Sequence, residues 1–304
     1  MERNQNVGEV FDALTASLLE LTRSEYLNLG YWTPSTFSMQ DAQKKLVELF
    51  GSFSELKPDL EVLDLGCGSG AQDFYFMERF CCKSILGVNA SKVQVEMALK
   101  KIKSKPDLYS RINFENRDAN NFNLYSDCSF DRVLALESSQ YFAKNNFVKE
   151  AARVLRKGGI LSIAEPIYNE NDNAQIAFPD IRGELCGELR EEFGDALHLK
   201  FLHSLDHMNN LRRSDSFKEK HFQYDPLIKK MEEEGMFLCE SKDITENVLP
   251  FYAAFKAAIL EKLKQNISSL VKAQLIHLLM MQFLNHWLFK NRVNSFYLIR
   301  AIKR

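Results

Sequence analysis

The stretch Val62-Leu-Asp-Leu-Gly-Cys-Gly-Ser-Gly70 decides the fold class of this chain. Its apolar first half predicts a buried β-strand, and its glycines predict a tight loop from which a helix begins. Glycine adopts positive φ at little steric cost and lets the backbone come close to a ligand. The succession of strand, glycine loop and helix therefore predicts a ligand-binding βαβ unit.

Short apolar runs alternate with helical segments after this loop. The predicted strands are 61–65, 84–89, 112–118, 130–136, 160–165 and 236–243, followed by the closing strand N-S-F-Y-L-I-R-A-I-K. Such alternation predicts parallel βαβ units in a doubly wound sheet, which is an α/β fold. The carboxyl ends of parallel strands share one rim of the sheet, and ligands bind along that rim.

The composition narrows the classes of protein. The chain has 304 residues and a formal net charge of −2, which disfavours general binding to nucleic acid or to a membrane surface. Charged residues interrupt every apolar run, so we expect no membrane span and no secretory signal. Six cysteines without a framework fit reduced thiols in the cytoplasm. These features favour a cytoplasmic protein with a small-molecule partner, and they leave a homo-oligomer open.

The glycine loop by itself fits two kinds of cofactor. Gly66, Gly68 and Ala71 satisfy the G-x-G-x-x-A pattern of dinucleotide sites. However, Asp64 at the end of the strand would oppose a pyrophosphate, whereas it suits S-adenosylmethionine, which carries an ammonium and a sulfonium. The second strand also ends in Asn89, where a dinucleotide site expects an acid for the ribose. Both observations disfavour a nicotinamide cofactor.

As a set, these motifs resemble class I S-adenosylmethionine-dependent methyltransferases. V-L-D-L-G-C-G-S-G resembles their first motif, L-R-K-G-G at 155–159 precedes the fifth strand, and the closing strand resembles their seventh, antiparallel strand. The resemblance covers about 60–165 and 225–304. It implies a Rossmann-like, doubly wound, seven-stranded sheet whose last strand is antiparallel, with N-terminal helices and a helical cap. The context G-V-N-A-S-K-V-Q at 87–94 resembles a subgroup with cyclopropane synthases, tocopherol and sterol methyltransferases and natural-product O-methyltransferases.

The resemblance and the pattern of strands and helices predict four segments of the chain. Residues 1–58 form an N-terminal helical lid segment, and 59–166 form the cofactor-binding core. Residues 167–224 break the rhythm of strands and helices and read as a helical cap inserted over the active site. Residues 225–304 complete the core with C-terminal helices and the final strand.

The resemblance also assigns residues to the cofactor. It implies that the backbone of the glycine loop meets the methionine part, that Asp64 orients the amino group, and that Asn89 holds the ribose. Asp118 and Ala119 match the pair that contacts adenine. A helix N-cap for Ser91 and a turn for Asp118 are the alternatives. The predicted cofactor-binding residues are Asp64, Gly66, Cys67, Gly68, Asn89, Ser91, Gln94, Asp118, Ala119, Glu137 and Tyr31.

The segment Asn28-Leu-Gly-Tyr-Trp32 resembles the H-x-G-Y-W element of this subgroup. It implies that Tyr31 and Trp32 form a lid near the transferred methyl group. The alternative is that Trp32 staples the N-terminal helices.

The predicted catalytic residues are Tyr141 and Glu165, which follow the fourth and fifth strands. In related O-methyltransferases these places often hold a His and an Asp. An unperturbed tyrosine is protonated near neutral pH, so Tyr141 is expected to position the acceptor, whereas Glu165 can act as a base if burial raises its pKa. Packing of Tyr141 and a helix-start contact of Glu165 are the alternatives. His198, His203 and His207 offer a base from the cap, and no metal is expected.

The leading function is therefore S-adenosylmethionine-dependent methylation of a small organic acceptor, most simply of a hydroxyl. C- or N-methylation is the nearest alternative. A non-catalytic cofactor-binding subunit would predict a damaged first motif, and this motif is intact.

Overall fold

The computed structural model describes residues 7–120, 124–169 and 222–304. Most of the cap predicted at 167–224 lies outside these residues, together with His198, His203 and His207. The predicted base from the cap therefore stays a prediction. In the described part of the chain, no helix is long and apolar enough to cross a membrane.

One sheet organises the described residues. Its strands are β1 (Glu61–Leu65), β2 (Ser84–Asn89), β3 (Ile112–Asn116), β4 (Phe130–Leu136), β5 (Leu155–Tyr168), β6 (Phe222–Gln223), β7 (Met236–Asp243) and β8 (Asn294–Lys303). The order along the sheet is β3-β2-β1-β4-β5-β8-β7, with β6 paired to β5 beside this path. The strands from β1 to β5 pair in parallel, and β8 runs antiparallel to both β5 and β7. The predicted doubly wound α/β sheet with an antiparallel last strand is confirmed.

Three details of the sheet differ from the sequence expectation, the first being that β3 ends at Asn116 and not at residue 118. The sheet has eight strands and not seven, because Phe222 and Gln223 extend beside Ile167 and Tyr168 as the short β6. Two residues are too few to show an alternating pattern. Strand β5 is also longer than 160–165, because its far end continues in register with β8 up to the pair Tyr168–Asn294.

Helices cover both faces of the sheet. They are α1 (Val7–Thr22), α2 (Met39–Phe53), α3 (Ala71–Phe80), α4 (Lys92–Ser104), α5 (Pro106–Tyr109), α6 (Lys144–Val154), α7 (Tyr224–Glu233), α8 (Thr245–Val248), α9 (Pro250–Leu263) and α10 (Ser269–Lys290). Side chains alternate between the faces along a strand, so Val62 and Leu63 enter different hydrophobic clusters. One cluster is completed by α2, α3, α9 and α10, and the other by α6 and α7.

Candidate active site

The glycine loop at 66–70 connects β1 to α3 at the carboxyl rim of the sheet. Gly66, Gly68 and Gly70 all have positive φ, at 79°, 59° and 74°. A Cβ on Gly66 would overlap Ser138, and a Cβ on Gly70 would overlap Phe114, so these two glycines are required by packing. A Cβ on Gly68 would have no neighbour closer than 3.7 Å. Of these three glycines, Gly68 is therefore the one with open space beside it that a ligand could fill.

The base of the loop is held by the second strand. The N–H groups of Gly66 and Cys67 both donate to the carbonyl of Val88, at 2.7 and 3.2 Å. The Asn89 Nδ2 donates to the carbonyl of Gly68 at 3.1 Å and to Gln94 Oε1 at 2.7 Å. Asn89 and Gln94 are thus brought together beside Gly68, as the sequence predicts. No described residue donates a hydrogen bond to Asn89 Oδ1, so this oxygen can accept one from a ribose hydroxyl.

The N-terminal helix α1 lies against the start of α4. Ser91 caps α4 by accepting from the N–H of Gln94 at 3.2 Å, and it donates to Asp12 Oδ1 at 2.5 Å. Gln94 Nε2 donates to Thr15 Oγ1 at 2.8 Å. Ser91 is therefore the N-cap of α4, which was the alternative offered by the sequence. A direct contact of Ser91 with the cofactor stays a prediction. Sequence reasoning missed Asp12 and Thr15, because an amphipathic pattern does not say which polar residues meet a partner.

Residues 25–32, here called the strap, cross the rim from the glycine loop to the C-terminal helices. Ser69 Oγ donates to the carbonyl of Glu25 at 3.0 Å, and the N–H of Leu29 donates to Glu137 Oε1 at 2.8 Å. At the far end, the N–H of Trp32 donates to the carbonyl of Asn247 at 2.8 Å, and Asn247 Nδ2 returns a bond to the carbonyl of Trp32. These bonds join the backbone of the strap to α8, and the choice between a lid and a staple for the Trp32 side chain stays open.

Tyr31 lies in the same strap. Its N–H donates to the carbonyl of Ala42 at 2.8 Å, and Lys242 Nζ lies 5.9 Å from the centre of its ring. These contacts anchor Tyr31 to α2 and β7. Its predicted role at the cofactor stays a prediction.

Two carboxyl groups stand near the carboxyl ends of the neighbouring strands β4 and β5, and Glu165 is fully buried whereas Glu137 is partly buried. Glu137 follows β4 with φ at 54°, a backbone conformation uncommon for a residue other than glycine, and burial raises its pKa to about 8. Glu165 on β5 is fully buried, and its Oε1 accepts from the N–H and the hydroxyl of Ser139 at 2.5 and 2.9 Å. Burial, opposed by these bonds, raises the pKa of Glu165 to about 8, and no hydrogen-bond partner for its Oε2 lies among the described residues.

Tyr141 ends the short 3₁₀ helix Ser139–Tyr141 that Glu165 holds at its start. Its ring packs edge-on against Phe11 of α1, with 5.6 Å between the ring centres. Although 44% of the residue's surface is exposed, desolvation together with the charges of Glu165 and Glu137 raises the pKa of Tyr141 to about 12. Tyr141 therefore lies near both carboxyl groups and keeps its proton near neutral pH.

Two further residues were not found from the sequence. The ring of Tyr252 on α9 is buried and stacks on His286 of α10, with 5.7 Å between the ring centres. Burial, reinforced by the charge of Glu137, raises the pKa of Tyr252. Burial and the cations Lys290 and Lys256 lower the pKa of His286, so its imidazole is neutral at pH 7. The two histidines of this apolar helix carry no sequence signal that would single out His286.

The predicted adenine pair lies at the end of β3. Asp118 is exposed, and its Oδ1 accepts from the N–H of Asn120 at 2.9 Å and from Asn120 Nδ2 at 2.8 Å. This is the turn that the sequence left as an alternative. Ala119 is buried, and contact of the pair with adenine stays a prediction. Among the residues that the structure describes, no group of three or more His, Cys, Asp or Glu side chains could hold a metal.

Comparison with known proteins points to one family. Residues 63–163 match the family described as methyltransferase domain. These residues, about one third of the chain, resemble a methyltransferase domain. This domain runs from β1, through the glycine loop, to the middle of β5.

Relatives of the methyltransferase domain extend the match on both sides. The chain is 33% identical over 177 residues to erythromycin 3''-O-methyltransferase of Saccharopolyspora erythraea, covering 56% of this chain and 57% of that protein. It is 28% identical over 250 residues to methyltransferase GfsG of Streptomyces halstedii, covering 81% and 78%. The match thus spans a little over half of the first relative. The structure of mycolic acid cyclopropane synthase CmaA1 with SAH and CTAB has a TM-score of 0.72 at 15% identity, covering 97% of this chain and 95% of that one.

The cofactor of the methyltransferase domain is S-adenosylmethionine, and the residues present fit it. Asp64 is fully buried at the foot of the loop, and its Oδ1 has no hydrogen-bond partner in the part of the chain that the structure describes. A buried carboxylate oxygen without a donor is suited to a cationic ammonium. The space above Gly68 and the oxygen of Asn89 lie on the same loop, where the methionine and ribose parts are predicted.

Asn89→Ala is expected to weaken the binding of S-adenosylhomocysteine by about 1–2 kcal/mol. The substitution removes the predicted bonds to the ribose and also the bond that holds the carbonyl of Gly68. Titration calorimetry measures the difference, with Asn116→Ala as a control, because Asn116 bonds only the carbonyls of Asn89 and Ala90. Equal affinity of Asn89→Ala and the parent would assign the ribose to another residue.

The stability of the fold is expected to fall as the pH rises from about 4.5 to about 8. Glu137 and Glu165 have an ordinary pKa of 4.5 when unfolded and a pKa of about 8 when folded. Across this window the unfolded chain has lost both protons and the folded chain has kept them, so the free energy of unfolding declines with pH and levels off above 8. Urea unfolding at pH 5 to 9 measures the slope for the parent and for Glu165→Gln, which should lose part of it. An identical slope in the variant would show that Glu165 does not titrate in this window.

Proposed function

We propose that this protein is an S-adenosylmethionine-dependent methyltransferase that methylates a hydroxyl group of a small organic acceptor in a biosynthetic pathway. The observation that carries the proposal is the arrangement at the rim. The glycine loop with Asp64 and Asn89 lies at the same rim as the carboxyl groups of Glu137 and Glu165, whose pKa values burial raises. The similarity to an O-methyltransferase over 177 residues supports a hydroxyl as the acceptor.

The cofactor side of the site needs binding and alignment only. When bound, S-adenosylmethionine supplies a methyl group that its sulfonium already activates. The loop above Gly68, the carboxylate of Asp64 and the amide of Asn89 would hold its methionine and ribose parts. The strap and α1 close the rim over these residues through Leu29 and Asp12, which excludes water from a displacement that water would slow.

The acceptor side needs a group that takes a proton. When bound, S-adenosylmethionine would supply the methyl group to the acceptor oxygen and leave as S-adenosylhomocysteine, and Glu165 would take the proton of the acceptor hydroxyl. The unpartnered Oε2 of Glu165 is the oxygen available for this proton, since Oε1 accepts from Ser139. With a pKa of about 8, Glu165 is a stronger base than an ordinary carboxylate, and its ionised fraction rises with pH.

Tyr141 would position the acceptor and not deprotonate it. A pKa of about 12 keeps its hydroxyl protonated, so it can donate a hydrogen bond to the acceptor or to its substituents. Its ring also forms a wall with Phe11, which suits an acceptor with apolar surface.

Two measurements test this function together. Titration calorimetry with S-adenosylhomocysteine and with nicotinamide dinucleotide asks which cofactor binds, and we expect binding of the first alone. A screen of hydroxyl, amine and activated-carbon acceptors with a labelled methyl donor then asks which class is methylated. Transfer to an amine or a carbon only would replace O-methylation by its alternatives. Binding without transfer to any acceptor class would favour a non-catalytic subunit.

The remaining expectations from the sequence belong to the same proposal. We keep a cytoplasmic location and no interaction with nucleic acid as predictions, supported by the net charge of −2. The oligomeric state is left to measurement by light scattering.

A further inference from the structure

A chain of hydrogen bonds joins the glycine loop to the N-terminal helix α1, and the mechanism above does not use it. Asn89 Nδ2 donates to the carbonyl of Gly68 at 3.1 Å and to Gln94 Oε1 at 2.7 Å. Gln94 Nε2 donates to Thr15 Oγ1 at 2.8 Å, and Thr15 Oγ1 donates to the carbonyl of Phe11 at 2.6 Å. These five residues, here called the relay, connect the cofactor loop to α1 without a break.

The middle of the relay is out of contact with water. Thr15 and Gln94 are both buried, so a donor that lost its acceptor there would cost about 1–3 kcal/mol. Both hydrogens of Asn89 Nδ2 are used within the relay, and Asn89 Oδ1 is the atom predicted to accept from the ribose. A ribose hydroxyl on that oxygen fixes the amide of Asn89 and strengthens both donated bonds, because hydrogen bonds in a chain polarise one another.

The far end of the relay is the wall of the proposed acceptor site. Phe11 gives its carbonyl to the relay, and its ring packs edge-on against Tyr141 with 5.6 Å between the ring centres. Tyr141 is the residue proposed to position the acceptor. The relay therefore has the cofactor loop at one end and the acceptor wall at the other.

A separate contact keeps α1 docked on α4. Asp12 Oδ1 accepts from Ser91 Oγ at 2.5 Å and from the N–H of Val93 at 3.0 Å. Neither bond passes through Gln94 or Asn89. Loss of the relay should therefore leave α1 in place while removing its link to the cofactor loop.

We propose that Thr15 is a positioning residue that couples the two halves of the site: cofactor binding at Asn89 stiffens α1 through Gln94 and Thr15, and so sets the wall of Phe11 and Tyr141 for the acceptor. Thr15 acts through its neighbours and not on either ligand. The acceptor meets a completed wall only in the cofactor-bound enzyme, which predicts that the cofactor binds first. This inference rests on the proposed function, because it assigns the ribose to Asn89.

Three variants separate this coupling from the packing of α1. Thr15→Val keeps nearly the same shape and removes the hydroxyl, so Gln94 Nε2 loses its acceptor. Thr15→Ser keeps the hydroxyl and is the conservative rescue. Thr22→Val is the matched control, because Thr22 is also buried on α1 and also donates to the carbonyl four residues before it, that of Leu18 at 2.9 Å, but lies outside the relay.

Hydrogen–deuterium exchange of the backbone amides of α1, with and without saturating S-adenosylhomocysteine, measures the coupling. In the parent, the amides of residues 14–19 should exchange at least about fivefold more slowly with the ligand bound. Thr15→Ser and Thr22→Val should show the same slowing. Thr15→Val should still bind S-adenosylhomocysteine, about three- to tenfold more weakly by calorimetry, but its α1 should slow by less than about twofold.

Three results would overturn the inference. A parent that binds S-adenosylhomocysteine without slower exchange in α1 would show that the two halves are not coupled, while the proposed cofactor site would stand; this result needs no variant to fold. Equal slowing in Thr15→Val and the parent would remove Thr15 from the coupling, and loss of slowing in Thr22→Val as well would assign the effect to the packing of α1. A parent that binds no S-adenosylhomocysteine would instead remove the proposed function, and this inference with it.

Discussion

Gly68→Val is expected to abolish the binding of S-adenosylmethionine in a protein that still folds. At φ of 59° a β-branched residue is strained, which costs about 1–2 kcal/mol of stability. Its Cβ would meet no atom of the protein closer than 3.7 Å, so packing tolerates it. The added methyl groups would instead fill the space that the cofactor needs. Titration with S-adenosylhomocysteine and thermal unfolding measure the two effects separately.

Gly158→Val is the matched control for this experiment. Gly158 also has positive φ, at 79°, and a Cβ there would have nothing within 4 Å. It lies near the start of β5, at the opposite end of the strand from Glu165 and the rim. The control should therefore lose a similar amount of stability and bind the cofactor as the parent does. If the folded Gly68→Val variant also binds normally, the open space above Gly68 is not the cofactor site.

Glu165→Gln is expected to lower turnover by about 10²-fold or more while the cofactor still binds. The amide keeps an oxygen that accepts from Ser139, so the start of the 3₁₀ helix should hold. It replaces Oε2 by a group that takes no proton. The parent's kcat should rise with pH toward a plateau above the pKa of about 8, and the residual activity of the variant should lose that rise. Stopped assays from pH 6 to pH 9.5 measure both.

Tyr141→Phe is the comparison that isolates the base. Removing a hydroxyl that only positions the acceptor should raise KM and change the pH profile little. If kcat is unchanged in Glu165→Gln, Glu165 is not the base, and its remaining role is the contact with Ser139. The base would then be sought at His286, which is neutral at pH 7 and stacks on Tyr252, or among the histidines of the predicted cap.

The sequence predicted the sheet well, because each strand carries its own signal. Buried parallel strands are short and apolar, and the glycines after Leu65 mark where the first strand gives way to a loop. The order of strands and the antiparallel β8 came from the resemblance to a family, since a closing apolar run does not show its own direction. The two-residue β6 exists only through its pairing with β5, and pairing is not visible in so short a run.

The candidate site was predicted in part for a similar reason. Residues near the carboxyl ends of strands, such as Asn89, Glu137 and Glu165, could be placed at the rim from topology alone. Asp12 and Thr15 could not, because their role depends on how α1 docks on α4.

The place of β8 in the sheet has a consequence for synthesis on the ribosome. Among the described residues, β7 pairs with β8 alone, and β8 is made about fifty residues later in the chain. Until residues 294–303 emerge, β5 and β7 present unpaired backbone edges to other nascent chains. The pairing of β8 with β5 and β7 is a non-local closure, which we expect to be slow. Chaperone dependence and aggregation during expression should therefore respond most to substitutions in β8, such as at Leu298 and Ile299, which are fully buried.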